Sequence, residues 1–210
     1  MLSRPYPGAA RKGDYIDSYY ARTLDSDTSY PPLQENISTP VCIVGGGMAG
    51  MAVAHGLTDR GVQPVLLEGN RIGFGASGRN GGFVNPGYSA DIRKVVEKVG
   101  ESHARELYQL TNHAHALVQQ RIGNRDSELC GDTEGLLNVS WFDEAESTRE
   151  DVAYLNELAG TRYEFWPREK IRDHYLTDRY SDGIFKADGF QLHSLNYLRH
   201  SAASMVAAGG

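Results

Sequence analysis

The fold turns on the stretch Val41-Cys42-Ile43-Val44-Gly45-Gly46-Gly47-Met48-Ala49-Gly50. A four-residue apolar run ending in glycines is the pattern of a buried parallel-sheet strand. From Gly47 to Arg60 the positions Ala49, Val53, Ala54 and Leu57 fall near helical spacing. Gly61 offers the stop, because glycine takes the left-handed conformation at little cost. Residues 62–68 form a second apolar strand that Glu68 closes. Together these make one β-α-β unit of about thirty residues, expected to cross over right-handed. Cys42 reads as a small core residue with no chemistry.

Gly45, Gly47 and Gly50 spell GxGxxG, and Glu68 follows Gly50 by 18 positions. That is close to the ~20 expected of a dinucleotide fingerprint. Each glycine has a physical task. Gly45 permits the tight turn out of the strand, Gly47 lets a pyrophosphate reach the backbone, and Gly50 lets helix and strand pack closely. The helix start at Met48 and Ala49 would offer unpaired N–H groups and the positive end of the dipole to phosphate. Glu68 would accept the ribose hydroxyls. A glycine turn that merely links strand and helix would give a similar string, but not every feature in register. The fingerprint alone leaves NAD and FAD open.

Outward from this core, residues 1–39 are rich in Tyr, Ser, Asp and Pro and read as a surface arm with a short helix near Tyr15 to Ala21. The first twelve residues faintly suggest a transit peptide, but Pro5 and Pro7 argue for an untargeted end. Arg71 to Tyr88 is a glycine-rich loop, and Asp91 to Ile122 is mostly helical with a break at Gly100. A strand is expected over Glu134 to Phe142. Asp143 with Glu146 suggests a capping box for a helix ending at Gly160. A strand at Arg162 to Trp166, a helix at Pro167 to His174, a strand at Gly183 to Ala187 and a helix at Leu195 to Ala208 complete the pattern.

Composition sets limits. Hydrophobic residues make up 40% and charged residues 23%, enough apolar material for a sizeable core. A net charge of -6 argues against nucleic acid. No apolar run approaches the ~18 to 20 residues of a membrane span. Two cysteines, Cys42 and Cys130, make no disulfide framework and suggest the cytoplasm. His103, His113 and His115 are not spaced for one metal-binding face and read as surface residues, so no metal is expected.

Arg71-Ile72-Gly73-Phe74-Gly75-Ala76-Ser77-Gly78-Arg79-Asn80-Gly81-Gly82, preceded far upstream by Ser18-Tyr19-Tyr20, resembles the D-amino-acid-oxidase-like (DAO) FAD-dependent flavoenzymes. The similar branch is that of gamma-glutamylputrescine oxidases and sarcosine-type oxidases. The resemblance implies FAD as cofactor. Ala76 and Ser77 would lie against the pyrophosphate and ribityl chain, Arg79 and Asn80 would approach the flavin, and Gly81 and Gly82 would let backbone pass the ring. With Gly45, Gly47, Met48, Ala49, Gly50, Glu68 and Arg71, these form the candidate cofactor-binding set. Arg79 would offer charge to phosphate or to a reduced, anionic flavin.

The implied fold is α/β: a Rossmann-like FAD-binding domain with part of a mixed or antiparallel substrate domain. The expected division is an arm at 1–39, an FAD segment at 40–128, a partial substrate domain at 129–189 and a returning helix at 190–210. Asp188 to Leu195 resembles the family's return segment, with Ser194 in place of the usual proline and a reasonable helix N-cap. The implied chemistry is hydride transfer from a C–H beside nitrogen to flavin, with O2 or another acceptor reoxidising it. The substrate would be a small amine or amino acid. No catalytic residue is assigned; His193 reads as a buried structural histidine, and Trp141, Tyr163 and Trp166 as core aromatics or pocket walls. The family's later glycine motifs are not in this sequence, so an amino-terminal portion of an enzyme is expected. Alternatives are a non-catalytic fragment and an NAD-dependent dehydrogenase.

Overall fold

The computed structural model describes residues 14–26, 28–123 and 133–210. Cys130, the first twelve residues and the expected boundary at 128/129 lie outside the described residues. In chain order the elements begin with α1 (Tyr19–Arg22), β1 (Cys42–Val44), α2 (Met48–Thr58), β2 (Val65–Leu67), a 3-10 turn (Ala76–Gly78) and β3 (Phe83–Val84). There follow α3 (Ile92–Val99), α4 (Glu101–Gly123), β4 (Thr133–Ser140), α5 (Ala145–Ala159), β5 (Glu164–Pro167), α6 (Arg168–His174), β6 (Asp182–Gln191) and α7 (Ser194–Ala207). The described chain forms two compact units: one runs up to Gly82 and resumes at Leu192–Gly210, and the other takes the residues between.

In the first unit β1 and β2 pair in parallel, with Ile43 opposite Leu66. Ile43 turns inward onto Ala54 and Met205, and Val41, Leu57 and Leu66 pack around them. The period of a strand sends its neighbours the other way. Cys42 is exposed, not a core residue, and Val44 is 86% exposed, because nothing described covers that face. Val53 also departs from its expected stripe and faces outward.

α7 is the most enclosed element of this unit, burying Leu195, Leu198, Ala202 and Met205 along with Arg199. Its N-cap is His193, not Ser194. His193 Nδ1 accepts the Asn196 N–H at 3.0 Å, so its Nε2–H donates to Thr23 Oγ1 at 2.9 Å. Ser194 Oγ instead donates to Asn80 Oδ1 at 2.7 Å. The arm is tied to α7 by these bonds and by Tyr15, whose hydroxyl donates to Ile72 O and accepts from Arg199.

The second unit is an antiparallel sheet centred on β6. β4 lies along one edge, and β3 and β5 each pair with β6 over separate stretches. β3 is a short strand inside the span expected to be loop, and β6 runs further at both ends than expected. Gly100, with φ +80°, ends α3 where the stripe breaks. On α4, Ala104, Tyr108, His115 and Ile122 form the buried face. His115 is therefore not a surface residue; its ring lies 5.3 Å from that of Phe190.

The expected capping box does not form: Glu144 is the N-cap of α5 and makes no side-chain cap bond. Asp182, fully buried on β6, does that work from across the unit. It accepts the Glu144 N–H at 3.3 Å and the Thr148 hydroxyl at 2.7 Å. Gly160 ends α5 in the left-handed conformation, as the sequence suggests.

Two outcomes follow. Asp182→Ala takes the acceptor from the buried Thr148 hydroxyl and from the half-buried Glu144 N–H, and is expected to lower stability by about 1–3 kcal/mol in urea unfolding. Burial lowers the pKa of His193, so the folded state favours the neutral ring while the unfolded chain binds a proton near 6.5. Stability from this group is then full above that value and declines as pH falls below it. His193→Asn keeps a capping acceptor that does not titrate, and the slope of stability between about pH 7 and pH 5 is expected to flatten.

Candidate cofactor-binding site

The turn from β1 into α2 is built of backbone. Gly45 has φ +106° and donates its N–H to Leu67 O at 2.7 Å, closing the turn onto β2. A Cβ on Gly50 would stand 1.9 Å from Gly45 O, so the first turn of α2 approaches β1 at a distance only glycine allows. Gly47 is the N-cap and supplies no side-chain acceptor. The Met48 N–H donates to Ser77 Oγ at 3.0 Å. The N–H groups of Ala49 and Gly50 meet no acceptor among the described residues. The start of α2 therefore presents open donors and the positive end of its dipole.

Glu68 stands at the end of β2, half-buried, with its carboxylate turned toward the turn. It accepts Gly46 N–H at 2.6 Å and Asn70 N–H at 2.9 Å. Each oxygen keeps a further lone pair for a hydroxyl donor.

The loop of residues 71–82 is held against the same turn. Gly73 donates to Gly46 O at 2.9 Å, and Ile72 fills the space a Gly46 side chain would need. A Cβ on Gly47 would lie 2.9 Å from Ser77 Oγ. Gly45, Gly47, Met48, Ala49, Gly50, Glu68 and Ser77 are thus gathered at one place. Arg71 lies over the Tyr15 ring, 4.6 Å from its centroid. Ala76 opens the 3-10 turn, exposed. Arg79 bonds back to Gly75 O at 3.2 Å. Asn80 donates to Ser77 O and accepts from Gly82 N–H and Ser194 Oγ, which makes it the hub of the loop. Gly81 is exposed. Gly82 has φ +72° and a Cβ there would strike Leu192 O at 2.1 Å. Tyr15 and Ser194 take part through contacts that sequence spacing does not signal.

On the remaining candidates, His193 is a helix cap. Tyr163 and Trp166 are buried and Trp141 is exposed. Among the described residues no cluster of His, Cys, Asp and Glu could hold a metal ion, and no helix is long and apolar enough to cross a membrane.

The residues present suit a dinucleotide: a side-chain-free cradle, open helix donors and a carboxylate at the end of the second strand. The family described as FAD dependent oxidoreductase (DAO) matches residues 40–210. The gamma-glutamylputrescine oxidoreductase of Escherichia coli is 32% identical over 94% of this chain and 46% of its own length. A probable oxidoreductase OrdL of Haemophilus influenzae is 29% identical over 93% of this chain and 46% of its length. Among solved structures, an L-amino acid deaminase from Proteus myxofaciens superposes with a TM-score of 0.64 at 17% identity, covering 88% of this chain and 40% of that one. The chain spans about half the length of the curated relatives it matches.

The two glycines of α2 give a matched test. Gly56→Ala meets only the end of Arg60 at 3.6 Å, whereas Gly50→Ala meets backbone at 1.9 Å. Thermal unfolding is expected to show Gly56→Ala neutral or up to about 1 kcal/mol more stable. Gly50→Ala is expected to lose more than about 2 kcal/mol.

Proposed function

The chain belongs to the FAD dependent oxidoreductase (DAO) family, and from that premise we propose that it binds FAD and serves the oxidation of the C–N bond of an amine or amino acid. The observation that carries the reading is the cradle at Gly45–Gly50, with open donors on Ala49 and Gly50 beside Ser77 and Glu68. The family is FAD-dependent, which counts against the nicotinamide alternative.

In this reading the first unit is the FAD side. The α2 amides and Ser77 hold the pyrophosphate, with Ser77 sharing the Met48 donor, and Gly47 keeps the approach clear. Glu68 accepts the ribose hydroxyls with the lone pairs that Gly46 and Asn70 leave open. Ala76, Arg79, Asn80, Gly81 and Gly82 carry the loop toward the flavin, with Asn80 fixing its shape and Arg71 supporting it from the arm side. FAD, when bound, supplies the acceptor for the hydride of a C–H bond beside nitrogen. The antiparallel sheet of the second unit belongs to the substrate side. A gamma-glutamylputrescine-like or sarcosine-like amine is the substrate class, supported by the name of the Escherichia coli relative. O2 or another acceptor completes turnover, and the cytoplasm is the setting.

The visible spectrum of the purified chain, with and without added FAD, tests the cofactor. Flavin bands near ~450 nm that co-elute with the protein are expected. Colourless protein after FAD addition would overturn the cofactor reading for this chain and favour a non-catalytic fragment. Gly47→Val pushes a branched side chain into Ser77 and the phosphate approach, and is expected to abolish flavin retention in protein that still folds by circular dichroism. Retained flavin would refute the placement of the pyrophosphate.

A further inference from the structure

The second unit contains a cavity of about 400 Å³, within the size range of small-molecule sites. Three of the polar groups on its walls, Tyr108, Tyr163 and Lys186, are short of partners. Tyr108 and Tyr163 are 3% and 4% exposed, and their hydroxyls lie 2.9 Å apart. One hydrogen bond between two phenols uses one of their two protons. The second O–H meets no acceptor among the described residues, although each phenol holds its proton firmly, because burial raises both pKa values.

The third group is Lys186 on β6. Its Nζ donates to Asn85 Oδ1 at 3.0 Å and lies 5.0 Å from the centroid of the Tyr163 ring. Among the described residues no carboxylate lies within ion-pair distance of it. Burial lowers its pKa and the charge of Asp188 offsets this only in part, as expected for an ammonium short of counter-charge. The acids on the same walls are already engaged. Asp91 caps α3 through the Arg93 N–H, and Asp151 pairs with the Arg93 guanidinium. Elsewhere on the lining Ile92, Leu155 and Ile184 offer apolar surface.

We propose that this cavity is a binding site for a small monocarboxylate with a short apolar tail. One carboxylate oxygen accepts from Lys186 Nζ and the other from the unused phenol proton of the Tyr108–Tyr163 pair. The tail lies on Ile92, Leu155 and Ile184. An anion there supplies both the missing counter-charge and the missing acceptor. The site lies wholly within the second unit, uses none of the candidate cofactor residues and stands whether or not the chain binds flavin.

The test is a titration of the full 210-residue chain with sodium butyrate, read by amide chemical shifts. Butylammonium chloride serves as the same tail with the opposite charge. Saturable shifts at Tyr108, Tyr163 and Lys186 are expected with butyrate and not with butylammonium. Lys186→Met and Lys186→Gln are each expected to weaken butyrate at least tenfold. The proposal is overturned by absence of saturation, by an equal response to butylammonium or by shifts confined to Gly45–Gly82. Unchanged affinity in folded Lys186 variants overturns it too. Should both variants fail to fold, the pattern of shifts and the charge preference of the unaltered protein decide alone.

Discussion

At Gly73 and Gly78 the loop from Arg71 to Gly82 packs on itself and on α7 at distances that leave no room for a side chain. A Cβ on Gly78 would lie 2.1 Å from Gly73 O and 2.8 Å from Leu195, and one on Gly73 would lie 2.8 Å from Leu195. This contact needs glycine at both loop positions and a large apolar residue on the helix. With the loop so fixed, Ile72, Gly73 and Ser77 have defined places against Gly46, Gly47 and Met48. The shape of the cradle therefore depends on a helix that arrives more than a hundred residues later in the chain.

Polar groups complete what close packing begins. Asn80 ties the loop to Gly82 and to Ser194, and Tyr15 ties it to Arg199. Each of these side chains satisfies a donor or acceptor that would otherwise be costly inside the unit. The start of α2 is treated differently. Its donors at Ala49 and Gly50 are left open, because the N-cap is a glycine with nothing to offer them. A helix start with glycine in place of a capping side chain gives up only about a few tenths of a kcal/mol and leaves donors that suit an anion.

The second unit shows the same economy with a buried carboxylate. Asp182 caps α5 from β6 and so joins a helix to the sheet by hydrogen bonds rather than by apolar contact alone. Tyr163 and Asn156 add to this: Asn156 accepts the Tyr163 N–H and donates to Tyr163 O. Such paired bonds fix the register between α5 and the strand that follows it, which a purely apolar contact would leave freer to slide.

Local physics made much of this legible in the sequence. The β-α-β unit, the break at Gly100, the stop at Gly160 and the later strands follow from periodicity and from glycine's access to left-handed conformations. The gathering of Gly45, Gly47, Gly50 and Glu68 follows from spacing along one strand–helix–strand passage. What tertiary structure decided was every contact between residues distant in the chain. Cys42 is exposed because strand alternation turns it away from α2, and His115 is buried because Phe190 comes to meet it. Asp182 rather than Asp143 serves α5, and His193 rather than Ser194 caps α7. Capping residues compete for the same donors, and a sequence shows only the nearest candidates. Partners brought in from another element by the sheet and by α7 are invisible until the chain has folded, because their proximity is set by packing and not by spacing.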